Sequence, residues 1–338
     1  MAFRISPLWW PFLVAASPLV GPFLLGKNRR YKANLIKVAA RNQDRLQQAA
    51  PLDLPELDFL ELTVLVEEKT EDGFLGDAGV SYLFRTDRGA LLFDVGFGPE
   101  RPALAHNAAK LQFNMDQVDA LAISHLHPDH MGGLKASRTK QVCLPGELGQ
   151  PNGKPCFLPD RAGAEGFECI RVDGPRLLAA GIATTGPLAR SLFFLGFTEE
   201  QALVANVRNK GLVVITGCGH PTIELIMQMV RRISDKPIHV IGGGLHFPVT
   251  GGRGNRLGIQ FQTLIGTGKP AWQKITDDDL SGTITALNGI QPEKVFLSAH
   301  DSCDHSLTRM QQELDAATEV FKAGQTYRFG EMGPQTAH

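Results

Sequence analysis

The chain has 338 residues, a formal net charge of −1, 43% hydrophobic residues and 20% charged ones, proportions that suit one large core or two modest ones. This balance argues against a nucleic-acid partner, which needs a surplus of Lys and Arg on one face. The cysteines Cys143, Cys156, Cys169, Cys218 and Cys303 form an odd set without a CxxC pair. They signal neither a disulfide framework nor a thiolate zinc site, and a reducing cytoplasm is the simpler compartment.

The first unit, residues 1–26, is expected to be a hydrophobic membrane-anchor segment. Residues 7–26 hold Leu8, Trp9, Trp10, Phe12, Leu13, Val14, Leu19, Val20, Phe23, Leu24 and Leu25 with no charge, roughly the length that crosses a bilayer. Pro7, Pro11, Pro18 and Pro22 would strain a straight helix, so an interfacial or re-entrant anchor stands beside a full span. A cleaved signal peptide and a buried apolar arm stay open. Lys27, Arg29, Arg30, Lys32, Lys37, Arg41 and Arg45 follow, opposed only by Asp44 before residue 50. Residues 27–55 therefore read as a basic juxtamembrane linker. Residues 7–45 together would meet a membrane surface and leave the catalytic part on the cytoplasmic side; the alternative is a solvated helix face in a linker. Pro51 and Pro55 close the stretch and set the start of a catalytic domain over 56–338.

Apolar or β-branched alternation predicts strands over 59–67 (FLELTVLVE) and 80–85 (VSYLFR), with a short apolar strand over 90–95 (ALLFDV). A helix over 102–111 precedes a strand at 120–124. Later strands are expected at 202–207, 212–216, 239–241 and 295–298, with helices at 222–233 and 306–322. Strands in a meander that then mix with helices indicate an α/β or α+β fold with helix-covered sheets.

The strand at 120–124 delivers the most informative segment, His125-Leu126-His127-Pro128-Asp129-His130. Two positions apart on extended backbone, His125 and His127 project to one side, where two imidazoles can grip one ion. Pro128 favours an extended His127 and starts a helix well. The turn then brings Asp129 and His130 round with an oxygen and a nitrogen donor for a second ion. A single histidine is more often a packed or surface residue, but four ligand-type side chains in six positions point to a cation.

Residues 124–134 (SHLHPDHMGGL) resemble the HxHxDH signature of the metallo-β-lactamase fold superfamily. Further likenesses occur at 79–81, 92–96, 107–108, 184–187, 201–203, 216–220 (TGCGH) and 242–246 (GGGLH). Their order resembles the branch of dihydropterin ribofuranosylaminobenzene phosphate synthase-like proteins, usually labelled metal-dependent hydrolases, over roughly residues 57–335. The resemblance implies an αββα sandwich, here with an N-terminal hydrophobic anchor. It also implies His125, His127 and His220 as the set for one ion and Asp129, His130 and His300 for the other. His220 and His300 each end a β-rich run. Many superfamily members place a bridging aspartate between those last two histidines, whereas this chain offers His246, a neutral imidazole that cannot bridge as a carboxylate does. Cys218 rivals it, although a small buried residue is the preferred reading there. Asp94, at the mouth of an apolar strand, is expected to orient the metal loop from behind. Asp301, Cys303, Asp304 and His305 read as loop and helix-start residues, with Asp304 as an N-cap.

The expected function is a metal-dependent hydrolase with one or two divalent ions per chain, zinc first and manganese or iron as alternatives, attacking an ester, phosphodiester or thioester. Asp129 is the key carboxylate, and the substrate is a small molecule, amphiphilic if the anchor delivers it. The alternatives are a transferase joining a pterin or aromatic amine to a second partner, iron-dependent redox chemistry, and a non-catalytic binding protein. The stretches at 146–172 and 251–268 are the candidate substrate-facing loops; fold does not specify substrate, and oligomeric state is not legible.

Overall fold

The computed structural model describes residues 5–253 and 255–331. Residues 1–4 of the expected anchor, residue 254 of the glycine-rich stretch and residues 332–338 of the expected catalytic unit lie outside the described residues. The chain opens with α1 (Trp10–Ala15) and α2 (Ser17–Gln48). Then come β1 (Phe59–Val66), β2 (Ser81–Thr86), β3 (Gly89–Phe93), α3 (Ala103–Lys110), β4 (Ala120–Ala122), α4 (Pro128–Met131), α5 (Leu134–Thr139), β5 (Pro155–Leu158) and β6 (Glu168–Arg171). The second half holds β7 (Ala183–Thr184), β8 (Leu188–Leu192), β9 (Gly196–Glu200), β10 (Leu203–Val207), β11 (Gly211–Thr216), α6 (Ile223–Ile233) and β12 (Ile238–Gly243). It ends with α7 (Phe261–Ile265), α8 (Asp277–Ile290), β13 (Lys294–Leu297), α9 (Asp304–Glu313), β14 (Ala317–Val320) and β15 (Thr326–Gly330).

Two mixed sheets result. One runs β15-β1-β2-β3-β4-β5-β6; the other carries β7-β10-β11-β12-β13-β14, with Glu56–Leu57 beside β10 and Arg176–Leu177 beside β7. Alternation along the strands sets the layers. Leu60, Leu62 and Val64 of β1, Tyr82 and Phe84 of β2, and Leu91 and Phe93 of β3 share a core with Leu203, Ala205 and Val207 of β10 and Val213 and Ile215 of β11. The alternate positions Leu83, Leu92 and Leu121 face Leu104 and Ala108 of α3 and Met131 of α4. Val204, Leu212 and Val214 face Ile226, Met229 and Val230 of α6 and Leu280 of α8. Two faces of each sheet are thus buried, in a helix–sheet–sheet–helix order, and each fully buried aliphatic or Phe side chain contributes about 1.5–3 kcal/mol.

Four parts of the chain differ from the sequence reading. The helix expected over 306–322 stops at Glu313, and β14 adds a parallel strand to β13 with Lys294 opposite Ala317 and Leu297 opposite Val320. Thr318 and Val320 favour extended backbone, and the open edge of β13 supplies the pairing that overrides helical periodicity. The stretch 146–172 is not a loop over the site; it supplies β5 and β6 at a sheet edge. α8, capped by a reciprocal pair of Thr276 and Asp279, and the β8–β9 hairpin lie where no element was expected.

The largest difference concerns the segment expected as a linker. α2 passes without interruption through residues 26 and 27 and continues to Gln48. Pro18 sits in its first turn, where a missing N–H costs nothing, while Pro22 lies inside. α1 and α2 are bent by 93°. Among the described residues no single helix is long and apolar enough to cross a membrane, although the bent pair meets the length and composition test together. The basic half is docked. Its buried residues Tyr31, Val38 and Asn42 form one helical stripe. Asn42 donates to the Ala189 carbonyl at 2.8 Å and accepts from the Ala189 amide at 2.8 Å, which satisfies an edge of the β8–β9 hairpin. Two strands alone are marginal in water, so α2 is the partner that holds this hairpin. Arg41 and Arg45 both pair with buried Glu199 on β9.

Arg45→Ala removes the better buried of the two partners and leaves Glu199 underpaired. A loss of about 1–3 kcal/mol is expected from denaturant unfolding, with faster tryptic cleavage within α2. An unchanged midpoint and cleavage pattern would show that the docking does not depend on this pair.

Candidate metal centre

The geometry follows from strand direction. β3, β4 and β5 are parallel neighbours, and so are β11, β12, β13 and β14. Loops leaving the C-terminal ends of β3 and β4 carry Asp94 and residues 124–130, while those after β11, β12 and β13 carry Cys218 and His220, His246, and His300. His127 stays extended (φ −85°, ψ 157°) as the cap before Pro128, and Asp129 and His130 sit on α4. At Gly217 an added Cβ would lie 2.2 Å from Ser124 Oγ, so only glycine lets the two loops meet. Asp94, Thr222 and His246 all take positive φ, at 60°, 83° and 58°. Such conformations are costly for side-chain-bearing residues and concentrate where surrounding structure enforces them.

The loops bring eight side chains together. Donor atoms of His125, His127 and His220 lie within 4.8 Å of one another, as do those of Asp129, His130, Cys218 and His300. A third set, Cys218, His220 and His246, meets the same limit. Cys218 thus belongs to two of the sets: its Sγ is 3.1 Å from His130 Nε2 and 3.2 Å from His300 Nε2. The thiol preferred as a small buried residue is buried, yet it is central to the cluster. His246 lies to the side, its ring 4.9 Å from that of His220. Asp304 is one position past the cap, which is Cys303, and its carboxylate binds Arg253 at 2.8 Å.

Three of the buried carboxylates here hold the loops that carry His125, His130, Cys218, His220 and His300. Asp94 accepts from the Ser124 amide at 2.6 Å and the Ser124 hydroxyl at 2.6 Å, and lies 2.7 Å from His130 Nδ1. Ser124 Oγ in turn is 3.0 Å from His125 Nδ1. Across the site, Glu67 accepts from Ser298 Oγ, which also contacts His300 Nδ1, and from Tyr82 Oη at 2.9 Å. Glu200 accepts the amides of Cys218, Gly219 and His220 at 3.0, 2.7 and 2.8 Å. Asp94 stands where the sequence reading put it. Glu67 and Glu200 were missed there; the only local signal was an acid ending each strand. The glycine-rich stretch reaches the site: Gln262 Nε2 donates to the His300 carbonyl at 2.6 Å.

Burial pushes His125 and His220 well below the usual imidazole value, and it takes His127 to about 4 and His246 to about 3. These rings are neutral at pH 7, with lone pairs available. Burial raises Asp129, but His130, His300 and His127 around it outweigh that and keep it ionised. Burial lowers His130, yet Cys218, Asp129 and Asp94 hold it above its usual value. Burial lifts Glu200 to about 7.

The Metallo-beta-lactamase superfamily model matches residues 75–143. A curated relative, the 7,8-dihydropterin-6-methyl-4-(beta-D-ribofuranosyl)-aminobenzene-5'-phosphate synthase of Methanocaldococcus jannaschii, is 22% identical over 240 residues, which are 58% of this chain and 80% of that one. Among solved structures, Tm1679, a metal-dependent hydrolase of the β-lactamase superfamily, is similar with TM-score 0.57 and 20% identity over 80% of this chain and 100% of that one. The metallo-β-lactamase fold protein YhfI from Bacillus subtilis gives 0.47 and 14% over 80% and 100%. The likeness to Tm1679 shows the fold.

Glu200 supplies a test through pH. Its folded value, near 7, lies above the ordinary carboxyl value, so between about pH 4.5 and 7 the folded state holds a proton that the unfolded state has released. Stability from this group is therefore present at low pH and falls as pH rises through that window. Glu200→Gln forfeits the acceptor for one backbone amide, about 1–3 kcal/mol. The deficit relative to wild type, read by urea unfolding of chelator-treated protein, is expected to shrink from pH 5 to pH 7 and then level off. A deficit independent of pH would contradict the raised value.

Proposed function

Since the chain is a member of the metallo-β-lactamase superfamily, we propose that it is a metal-dependent hydrolase using one or two divalent ions against an ester, phosphodiester or thioester. One observation carries the reading: buried imidazoles cluster within ligand distance of one another, and several of their ring nitrogens have no partner. His125 Nε2, His220 Nδ1 and both ring nitrogens of His246 have no hydrogen-bond partner among the described residues. Each unpaired buried polar atom costs about 1–3 kcal/mol, and a cation held by the cluster would take up one nitrogen of each ring that it reaches. The residues therefore fit the group. His125, His127 and His220 would hold one ion, and Asp129, His130 and His300 the other. Cys218 takes the place between them that an aspartate fills in many relatives, and His246 stands beside His220 toward the substrate. Nitrogen donors with one sulfur suit zinc or iron; manganese remains the harder alternative.

Divalent ions bound there would polarise the substrate's carbonyl or phosphoryl oxygen and make water a competent nucleophile near neutral pH. The chain's own contributions are positional. Asp129, ionised on the first turn of α4, orients the attacking water with a carboxylate oxygen. Asp94 and Ser124 fix the His130 and His125 rings, Ser298 and Glu67 fix His300, and Glu200 fixes the loop bearing Cys218 and His220. A second reading rests on the curated relative named a synthase: joining of two organic substrates at the same site, which would show turnover only when both are supplied.

We also infer that the chain works at a membrane surface, with the catalytic unit on the cytoplasmic side and residues 7–45 against the bilayer. Leu8, Phe12, Val14 and Leu19 are 82%, 67%, 72% and 80% exposed. Arg29, Arg30, Lys32 and Lys37 are exposed along α2, where anionic headgroups would attract them.

Two experiments test these readings. Asp129→Ala is expected to lower hydrolysis of a phosphodiester, thioester and lactone panel by about 10²-fold or more while the protein stays folded, and elemental analysis of wild type to find one or two zinc, manganese or iron atoms per chain. Full activity of the variant at unchanged metal content and stability would sink the assignment. The full chain should sediment with phosphatidylserine-containing vesicles, and a Phe12→Asp, Leu19→Asp double variant should remain in the supernatant; equal partition of both would remove the membrane reading.

A further inference from the structure

Next to the donor cluster, β8, the start of α6, the loop after β12 and residues 266–267 enclose a cavity of about 60 Å³. Its wall includes Arg190, His220, Thr222, His246, Thr267 and Thr283. Arg190 rises from the middle of β8, and its guanidinium makes no hydrogen bond or ion pair among the described residues. A guanidinium presents five N–H donors and keeps its charge in proteins. Half-buried in the cavity wall and without a protein acceptor among the described residues, it keeps its N–H donors available to an anionic oxygen. The surroundings hold it in place. Gly268, whose φ of +66° favours glycine, lies against the guanidinium: a Cβ there would be 2.6 Å from Arg190 Nε and would displace it. Tyr31 of α2 pins that loop by donating to the Gly268 carbonyl at 2.6 Å.

A second positive element points to the same space. Thr222 precedes the 11-residue helix α6 as its N-cap, yet its side chain makes no capping hydrogen bond. The first-turn amides lack that acceptor, and the helix dipole adds partial positive charge at the same end. Glu224, the acid that acts on Arg190 electrostatically, accepts from Thr283 Oγ1 at 3.2 Å and is not part of the cavity wall. Burial lowers Arg190 from its usual value, and Tyr31 and Glu224 oppose that from outside the cavity. No carboxylate inside competes for the guanidinium.

We propose that this cavity is the subsite for an anionic oxygen group on the substrate, a carboxylate or a phosphate monoester, with Arg190 as its charge partner and the α6 N-terminus beside it. The word substrate rests on the hydrolase reading above; the anion site itself does not. With His220 and His246 in the shared wall, an acid held here places the neighbouring bond of the same molecule at the donor cluster. The small volume admits the acidic group alone and leaves the rest of the molecule toward the cluster or the open side. Substrates are thereby narrowed to those carrying an acid close to the cleaved bond.

Calorimetric titration of the full chain, zinc-loaded and chelator-treated, tests this with phenylphosphonate, benzoate and the neutral benzamide. The expected result is binding of at least one anion and not of benzamide. Arg190→Gln should weaken that binding by about tenfold or more at unchanged melting temperature and metal content, and Arg190→Lys should restore part of it. Binding that persists after chelation separates the subsite from anions that merely ligate the ions. Equal affinity of wild type and Arg190→Gln, or loss of all anion binding on chelation, overturns the proposal. Should the Gln variant fold poorly, the wild-type preference for benzoate over benzamide in chelated protein still decides: no preference overturns the subsite. A wild-type chain that hydrolyses esters without Arg190-dependent anion binding overturns the subsite alone. Arg190-dependent binding in a chain that hydrolyses nothing supports the subsite and sinks the hydrolase.

Discussion

A carboxylate taken out of water must be compensated by hydrogen bonds or by charge, and the site is built on three that are. Asp94, Glu67 and Glu200 are all buried, and each is satisfied by the loop that it positions. Asp94 gathers the amide and hydroxyl of Ser124 with His130, Glu67 gathers Ser298, and Glu200 gathers three successive amides. The exchange is mutual. The acids tolerate burial because the loops come to them, and loops without regular structure hold one conformation because the acids require it. Residues from four strand ends reach a common point for this reason. Strand pairing alone brings the ends near one another but leaves the imidazoles free to turn.

The layered architecture supplies what those acids need. Parallel neighbours send all their C-terminal ends to one edge, so Asp94 comes from one sheet and Glu200 from the hairpin that leads into the other. The helices on the outer faces exclude water from both sheets. The same low-dielectric setting that makes an unpaired charge expensive keeps His125, His127, His220 and His246 neutral and ready to donate lone pairs.

Legibility in the sequence followed distance along the chain. His125 to His130 are contiguous, so six letters were enough to indicate a cation site, and the order of the glycine-bearing motifs sufficed to identify the fold. His220 and His300 were implied by the family resemblance, and the apolar run that each ends agreed with it. Glu67 was not legible, since its contact with Ser298 spans 231 positions and an acid at a strand end does not tell which loop it will hold. Cys218 was underweighted for a related reason: a buried cysteine looks the same whether it fills space or faces two histidines, and only the fold tells these apart. Strand β14 was read as helix because its pairing partner, β13, is what makes it extended. Arg190 lies on a hairpin whose partner is α2, so its setting could not be seen until that helix was known to be docked.

That docking has a consequence for how the N-terminus and the site are related in space. One unbroken helix runs from Ser17 to Gln48, with apolar residues near its start and the Tyr31–Asn42 stripe locked to the hairpin that bears Arg190. An α-helix turns about 100° per residue, so the azimuth of the apolar end is keyed to the hairpin as a shaft is keyed to its wheel. Whatever grips the first turns of α2 thereby also sets which way the mouth of the site points. A single residue inserted between the two would swing that bearing by more than a quarter turn while leaving every residue of the site unchanged.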